Sequence, residues 1–174
     1  MSRQKGKGLQ VQRLENLQSL AYLQMDQSLV HYNYPQILGR LPSLRVLNCK
    51  VSQFIQFTRY ETLWFEELTK LRELYFANCE FEHLPSSLAT LSSLMILVLE
   101  SCNNLKSLPP NGMPPFLREL TLTSCPQELV QRCQPDEGED WPLISHVQLI
   151  RIDGRKFRWW KYINKNMHAC IEDF

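Results

Sequence analysis

The sequence is short of long apolar runs, of glycine and of any surplus of charge, and each shortage removes a class of protein. Its longest apolar run, Leu94 to Leu99, falls well below the roughly 20 residues of a membrane-spanning helix. The amino terminus, MSRQKGKGLQVQR, is basic and polar and lacks the apolar core of a secretory signal, so export is not expected. Glycine occurs six times, at Gly6, Gly8, Gly39, Gly112, Gly138 and Gly154. These positions spell neither the phosphate loop G-x-x-x-x-G-K-[ST] nor the dinucleotide turn G-x-G-x-x-G, whose glycines let backbone N–H groups close on phosphates. Lys and Arg number 19 against 18 Asp and Glu, so no overall field draws the chain to nucleic acid or to an anionic membrane.

Six cysteines are present, yet no two form a Cys-x-x-Cys pair. The four histidines, His31, His83, His146 and His168, are too scattered for metal-ligand spacing, so no metal site is expected. The acidic cluster Asp136, Glu137, Glu139 and Asp140 has no base or nucleophile spaced beside it and reads as a solvated loop next to Trp141. Catalytic residues and cofactors are not expected, and neither is an enzyme.

What the sequence does contain is a repeat. With 44% hydrophobic residues in 174 the chain can bury the core of one domain. Four segments align: LPSLRVLNCKVS from Leu41, LTKLRELYFANC from Leu68, LSSLMILVLESC from Leu91 and PPFLRELTLTSC from Pro114. A weaker copy, LQSLAYLQMDQS, starts at Leu17, and WPLISHVQLIRID from Trp141 is a degenerate last one. The strand cores become Leu23/Met25, Leu47/Cys49, Leu74/Phe76, Leu97/Leu99, Leu120/Leu122 and Ile150/Ile152. They recur at intervals of roughly 23 to 30 residues, the period of leucine-rich repeats, with insertions around Val51 to Phe65 and Pro126 to Asp140. Two central copies continue to Leu84-Pro85 and Leu108-Pro109, where proline supplies no donor and ends the extended segment.

The expected fold is an α/β leucine-rich-repeat solenoid, a horseshoe fragment of about five to six repeats with short parallel strands on its concave face. Cys79, Cys102 and Cys125 recur with the repeat itself. At that position a small side chain sits inside the turn after the strand, where Asn or Cys can satisfy backbone groups of the neighbouring coil. Reduced thiols in a chain without an export signal point to the cytosol or the nucleus.

Alternate residues of each strand face away from the core. The outward rows are Tyr22, Gln24, Asp26; Val46, Asn48, Lys50; Glu73, Tyr75, Ala77; Ile96, Val98, Glu100; Glu119, Thr121, Thr123; and Leu149, Arg151, Asp153. Tyr75, Ile96 and Val98 form an apolar and aromatic patch among Glu73, Glu100 and Glu119, the composition of a protein-binding surface. The candidate binding residues are therefore Asn48, Lys50, Glu73, Tyr75, Ile96, Val98, Glu100, Glu119, Thr121, Thr123 and Arg151.

Four regions follow: a flexible basic amino terminus (1–13), the repeats (14–125), a terminal degenerate repeat or cap (126–154) and a basic aromatic tail (155–174). The tail segment RKFRWWKYINK admits two readings. Its cations interleaved with aromatics suit phosphates and stacked bases, which makes nucleic acid or an anionic membrane the alternative partner. Trp160, Ile163, Met167, Cys170 and Phe174, at helical spacing, instead make an apolar face able to cap an open end.

The repeat form L-x-x-L-x-L-x-x-C-x-x-L-x-x-L-P resembles plant nucleotide-binding leucine-rich-repeat disease-resistance proteins. The resemblance extends to the ending Cys125-Pro126, Leu129, Arg132-Cys133, Gly138-Glu139-Asp140-Trp141-Pro142, His146 and Ile152-Asp153-Gly154. It covers about Leu41 to Gly154, and it is their carboxy-terminal repeat region that is similar. It implies a defence-related recognition module whose partner is a pathogen effector, a host protein, or the nucleotide-binding domain of a receptor. The nucleotide switch of that family has no counterpart in these residues, so binding of ATP or ADP is not carried over.

Overall fold

Each repeat copy delivers one short strand, and the strands lie side by side in the order in which the chain makes them. The computed structural model describes residues 21–25, 41, 43–50 and 68–158. In it β1 (Tyr22–Met25), β2 (Val46–Lys50), β3 (Glu73–Ala77), β4 (Ile96–Glu100), β5 (Glu119–Thr123) and β6 (Leu149–Ile152) pair in parallel. A seventh, β7 (Arg155–Arg158), runs antiparallel to β6 and completes one sheet in sequence order. Two short helices, α1 (Gln127–Arg132) and α2 (Trp141–Ile144), lie between β5 and β6. This mixed seven-stranded sheet with few helices is compatible with a repeat-type fold.

The alternation of side chains sets which face is buried. In β4, Leu97 and Leu99 are fully buried while Ile96 and Val98 are only half-buried. Leu47, Leu74, Leu97, Leu120 and Ile150 stand opposite one another across successive strands. Each stabilises the stack by about 1.5–3 kcal/mol, and none could do so without the strand beside it. Leu23 is partly buried against the same core. Phe76 and Phe81 fill the middle, their rings meeting edge-on at 5.2 Å.

The turns repeat as faithfully as the strands. Ahead of each strand a leucine N–H donates three residues back: Leu44 to Leu41 (3.1 Å), Leu71 to Leu68 (3.0 Å), Leu94 to Leu91 (3.0 Å) and Leu117 to Pro114 (3.1 Å). Behind the strands, Asn78, Ser101 and Ser124 adopt left-handed φ of 56°, 53° and 51°, a conformation in which short polar side chains are the usual substitutes for glycine. The N–H groups of Asn78 and Ser101 donate to Glu100 and Thr123 carbonyls of the following strand, both at 2.8 Å. The Ser124 N–H donates instead to the Asp153 carboxylate, at 2.8 Å.

The next residue in each turn is the expected cysteine. Cys79 Sγ donates to the Cys49 carbonyl one coil back (3.9 Å), Cys102 to that of Phe76 (3.9 Å) and Cys125 to that of Leu99 (3.4 Å). Burial pushes the Cys49 thiol up to about 12 and the Cys125 thiol up to about 11, so neither is ionised at neutral pH and neither behaves as a nucleophile. On the opposite side of the coils, His83 bridges to Ser107 and the Lys106 ammonium meets the Glu82 carboxylate at 2.6 Å.

Three expectations change. Asp140 is not part of a solvated loop: it is 2% exposed because it holds Arg132 and a backbone N–H, as detailed below. Ala77 is buried rather than outward-lying, since a methyl group reaches too little beyond the backbone to stay accessible. The basic tail opens as a strand, with Asp153-Gly154 forming a two-residue turn at φ of 46° and 87°. Such a turn forces an antiparallel partner and buries Phe157 opposite Ile150. The proposed helical face from Trp160 to Phe174, the basic amino terminus and the insertion after β2 lie outside the described residues.

Candidate interaction face

The six parallel strands hold their outward residues in straight rows, because parallel register places like positions of each repeat opposite one another. One row runs Tyr22, Val46, Glu73, Ile96, Glu119, Leu149, and the next Gln24, Asn48, Tyr75, Val98, Thr121, Arg151. A third line of register joins Lys50, the buried Ala77, Glu100 and Thr123. The ten candidate residues whose side chains are described therefore belong to one face of one sheet, and Lys50 falls in register with them, with neighbours about 4.8 Å apart across strands.

The patch of Tyr75, Ile96 and Val98 lies within two strands, with Glu73 opposite Ile96 and Tyr75 opposite Val98. The Tyr75 hydroxyl donates to the Glu73 carboxylate at 2.7 Å. This hydrogen bond, with partial burial behind it, pushes the Tyr75 phenol up to about 12. The protonated phenol is the form the folded chain favours, so its contribution to stability is complete below the ordinary tyrosine range near pH 10. It fades as pH climbs from 10 through about 12. A tyrosinate absorbance titration of the chain, minus that of a Tyr75→Phe variant, should show one ionisation near pH 12. A difference curve centred near 10 would mean that the bond to Glu73 does not hold in solution.

Charge is divided along the face. Glu73 and Glu100 meet no cation among the described residues, and Glu100 is exposed. Glu119 is neutralised by an ion pair with Arg151 on the neighbouring strand. Arg151 in turn stands opposite Lys156 of β7. Sequence reasoning missed Lys156, although the Asp153-Gly154 turn carried the signal: a two-residue loop sets the register at which residue 156 pairs with 151. Asn48, beside Tyr75, keeps its amide oxygen shut from solvent with no hydrogen-bond partner.

Beyond β5 the chain builds a clip that supports the face. The Asp140 carboxylate accepts from Arg132 Nη2 at 2.7 Å and Nε at 3.2 Å, and from the Leu108 N–H at 2.8 Å. Glu139 pairs with the same guanidinium. Gly138 is required by a close approach, since a Cβ there would lie 2.2 Å from the Arg132 carbonyl oxygen. Trp141, Ile144, Leu129 and Cys133 are buried behind the clip, and burial pushes the Cys133 thiol up to about 12. A ring nitrogen of His146 lies 3.2 Å from the Pro114 carbonyl. The stretch from Gly138 to Pro142 thus joins a mandatory glycine, a carboxylate fork, a buried indole and a proline in the first turn of α2.

Among the described residues no group of three His, Cys, Asp or Glu is placed to hold a metal ion, and no helix is long and apolar enough to cross a membrane. The architecture is that of a sheet whose accessible face is laid out by repetition, with a clip built between its fifth and sixth strands. No family model matches the chain. It is similar to TMV resistance protein N of Nicotiana glutinosa, with 37% identity over 91 residues, 52% of this chain. That stretch is 8% of the length of the Nicotiana protein, so the likeness is to one region of a much longer resistance protein.

Proposed function

We propose that the chain is a leucine-rich-repeat solenoid acting as a protein-recognition module of plant immune-receptor type, with its ligand on the concave face. The observation that carries this reading is the outward register of Tyr75, Ile96 and Val98. Their strands already bury Leu74, Phe76, Leu97 and Leu99 on the other side, so the fold has no need of a second apolar surface. The likeness to a resistance protein supplies the defence context. In this reading residues 14–125 are the repeats, 126–154 the terminal unit and 155–174 its cap, and the surface binds without catalysing. The free cysteines of the described residues suit a reducing compartment, the cytosol or nucleus.

The test compares the intact chain with a Tyr75→Ala/Val98→Glu variant as baits in plant leaf extract. Both positions face outward, so the two baits should melt within a few degrees of each other. Proteins retained by the first should be lost from the second. Identical retention by two equally folded baits would place the binding surface elsewhere.

A further inference from the structure

We infer that the ligand seated on this face is a polypeptide segment that sets a cationic side chain, arginine in preference to lysine, next to an aliphatic one. The inference rests on the recognition reading above and adds the chemistry of the partner. Over β3 and β4 the face carries carboxylates that meet no cation among the described residues. Glu73 is half-buried and, among the described residues, receives the Tyr75 hydroxyl and meets no cation. Glu100 is exposed and unpaired among the described residues. Tyr75 cannot supply the missing donor, because its one hydroxyl proton is already committed to Glu73.

Glu119 shows how the same fold handles a carboxylate meant to be silent: Arg151 stands beside it and neutralises it. Glu73, in the same row two strands away, has Ile96 as its neighbour instead. A carboxylate kept partly dry beside an apolar patch attracts a cation more strongly than one in open water. The geometry favours a guanidinium, which can lie against the Tyr75 ring while its N–H fork meets a carboxylate. An aliphatic side chain one strand-width away would rest on Ile96 and Val98. That separation, about 5 Å, is met by residues three or four apart on a helical ligand.

A random-peptide phage library selected on the full-length chain, and counter-selected on the Val98→Glu variant, tests this directly. Enriched peptides should share an Arg or Lys near a Leu, Ile or Val. Replacing the arginine of the enriched consensus by citrulline should weaken binding roughly tenfold. A Glu73→Gln/Glu100→Gln variant should erase that difference, and so should high salt in part. Enrichment of neutral or acidic peptides that need Val98 would overturn the cationic ligand and leave the recognition face standing. Failure to enrich any peptide that distinguishes the chain from Val98→Glu would overturn both.

Discussion

Leu97→Asp should abolish cooperative folding. Leu97 is fully buried between Leu74 and Leu120 of the flanking strands. A carboxylate there loses the transfer energy of the leucine and meets no cation or donor in return, a combined cost of about 5 kcal/mol or more. Whole domains are stable by only about 5–15 kcal/mol, so little of the folded state should survive. Circular dichroism melting, with Ile96→Asp as the paired control, checks the claim. Ile96 is the adjacent residue on the accessible face, and its substitution should cost about 1 kcal/mol or less. Equal melting temperatures for the two variants would contradict the assignment of faces on which the proposed recognition surface depends.

Asp140→Ala should destabilise the carboxy-terminal part by about 2–3 kcal/mol, measured as a shift in urea midpoint. The substitution strands the Leu108 N–H, whose only carboxylate partner is Asp140, and an orphaned buried donor costs about 1–3 kcal/mol. Arg132 is 29% exposed and can turn toward water, which keeps the loss below that of a sealed ion pair. The converse change, Arg132→Ala, leaves Asp140 at 3% side-chain exposure without its cation and should cost at least as much. Asp140→Asn retains an oxygen for Leu108 and should fall between. In a double-mutant cycle the two alanine substitutions should cost much less together than the sum of their separate effects. Additive effects would mean that the clip is not one unit.

The strands were legible because a parallel stack imposes its rule residue by residue. Leu47, Leu74, Leu97 and Leu120 must be apolar, Ile96 and Val98 need not be, and the difference is written in the alternation itself. The turn cysteines were equally legible, since their role repeats with the period and a single copy explains the others. The placement of Tyr75, Ile96 and Val98 on one face followed from the same alternation.

What escaped was not periodic. Asp140 reads as one acid among four between Asp136 and Asp140, and only the folded chain brings Leu108, 32 residues earlier, to its carboxylate. The strand at Arg155–Arg158 was hidden by composition: three of its four residues are cationic, and one apolar residue cannot declare a period. Phe157 turns inward because the hairpin sets its register. Asn48 could be placed on the face, but its unmet acceptor depends on surroundings that no spacing records.

The reversal at Asp153-Gly154 limits how such a chain can grow. A stack of parallel coils can be lengthened by copying any coil, because each presents the same edge that it receives. A coil copied in after Ile152 would compete with β7 for the backbone groups of β6, and the outer edge of β7 runs the other way. Lengthening by tandem duplication is thereby confined to positions upstream of Leu149. Diversity in the size of the accessible face would then accumulate at its amino-terminal side, while the end that carries Arg151 keeps a fixed outline.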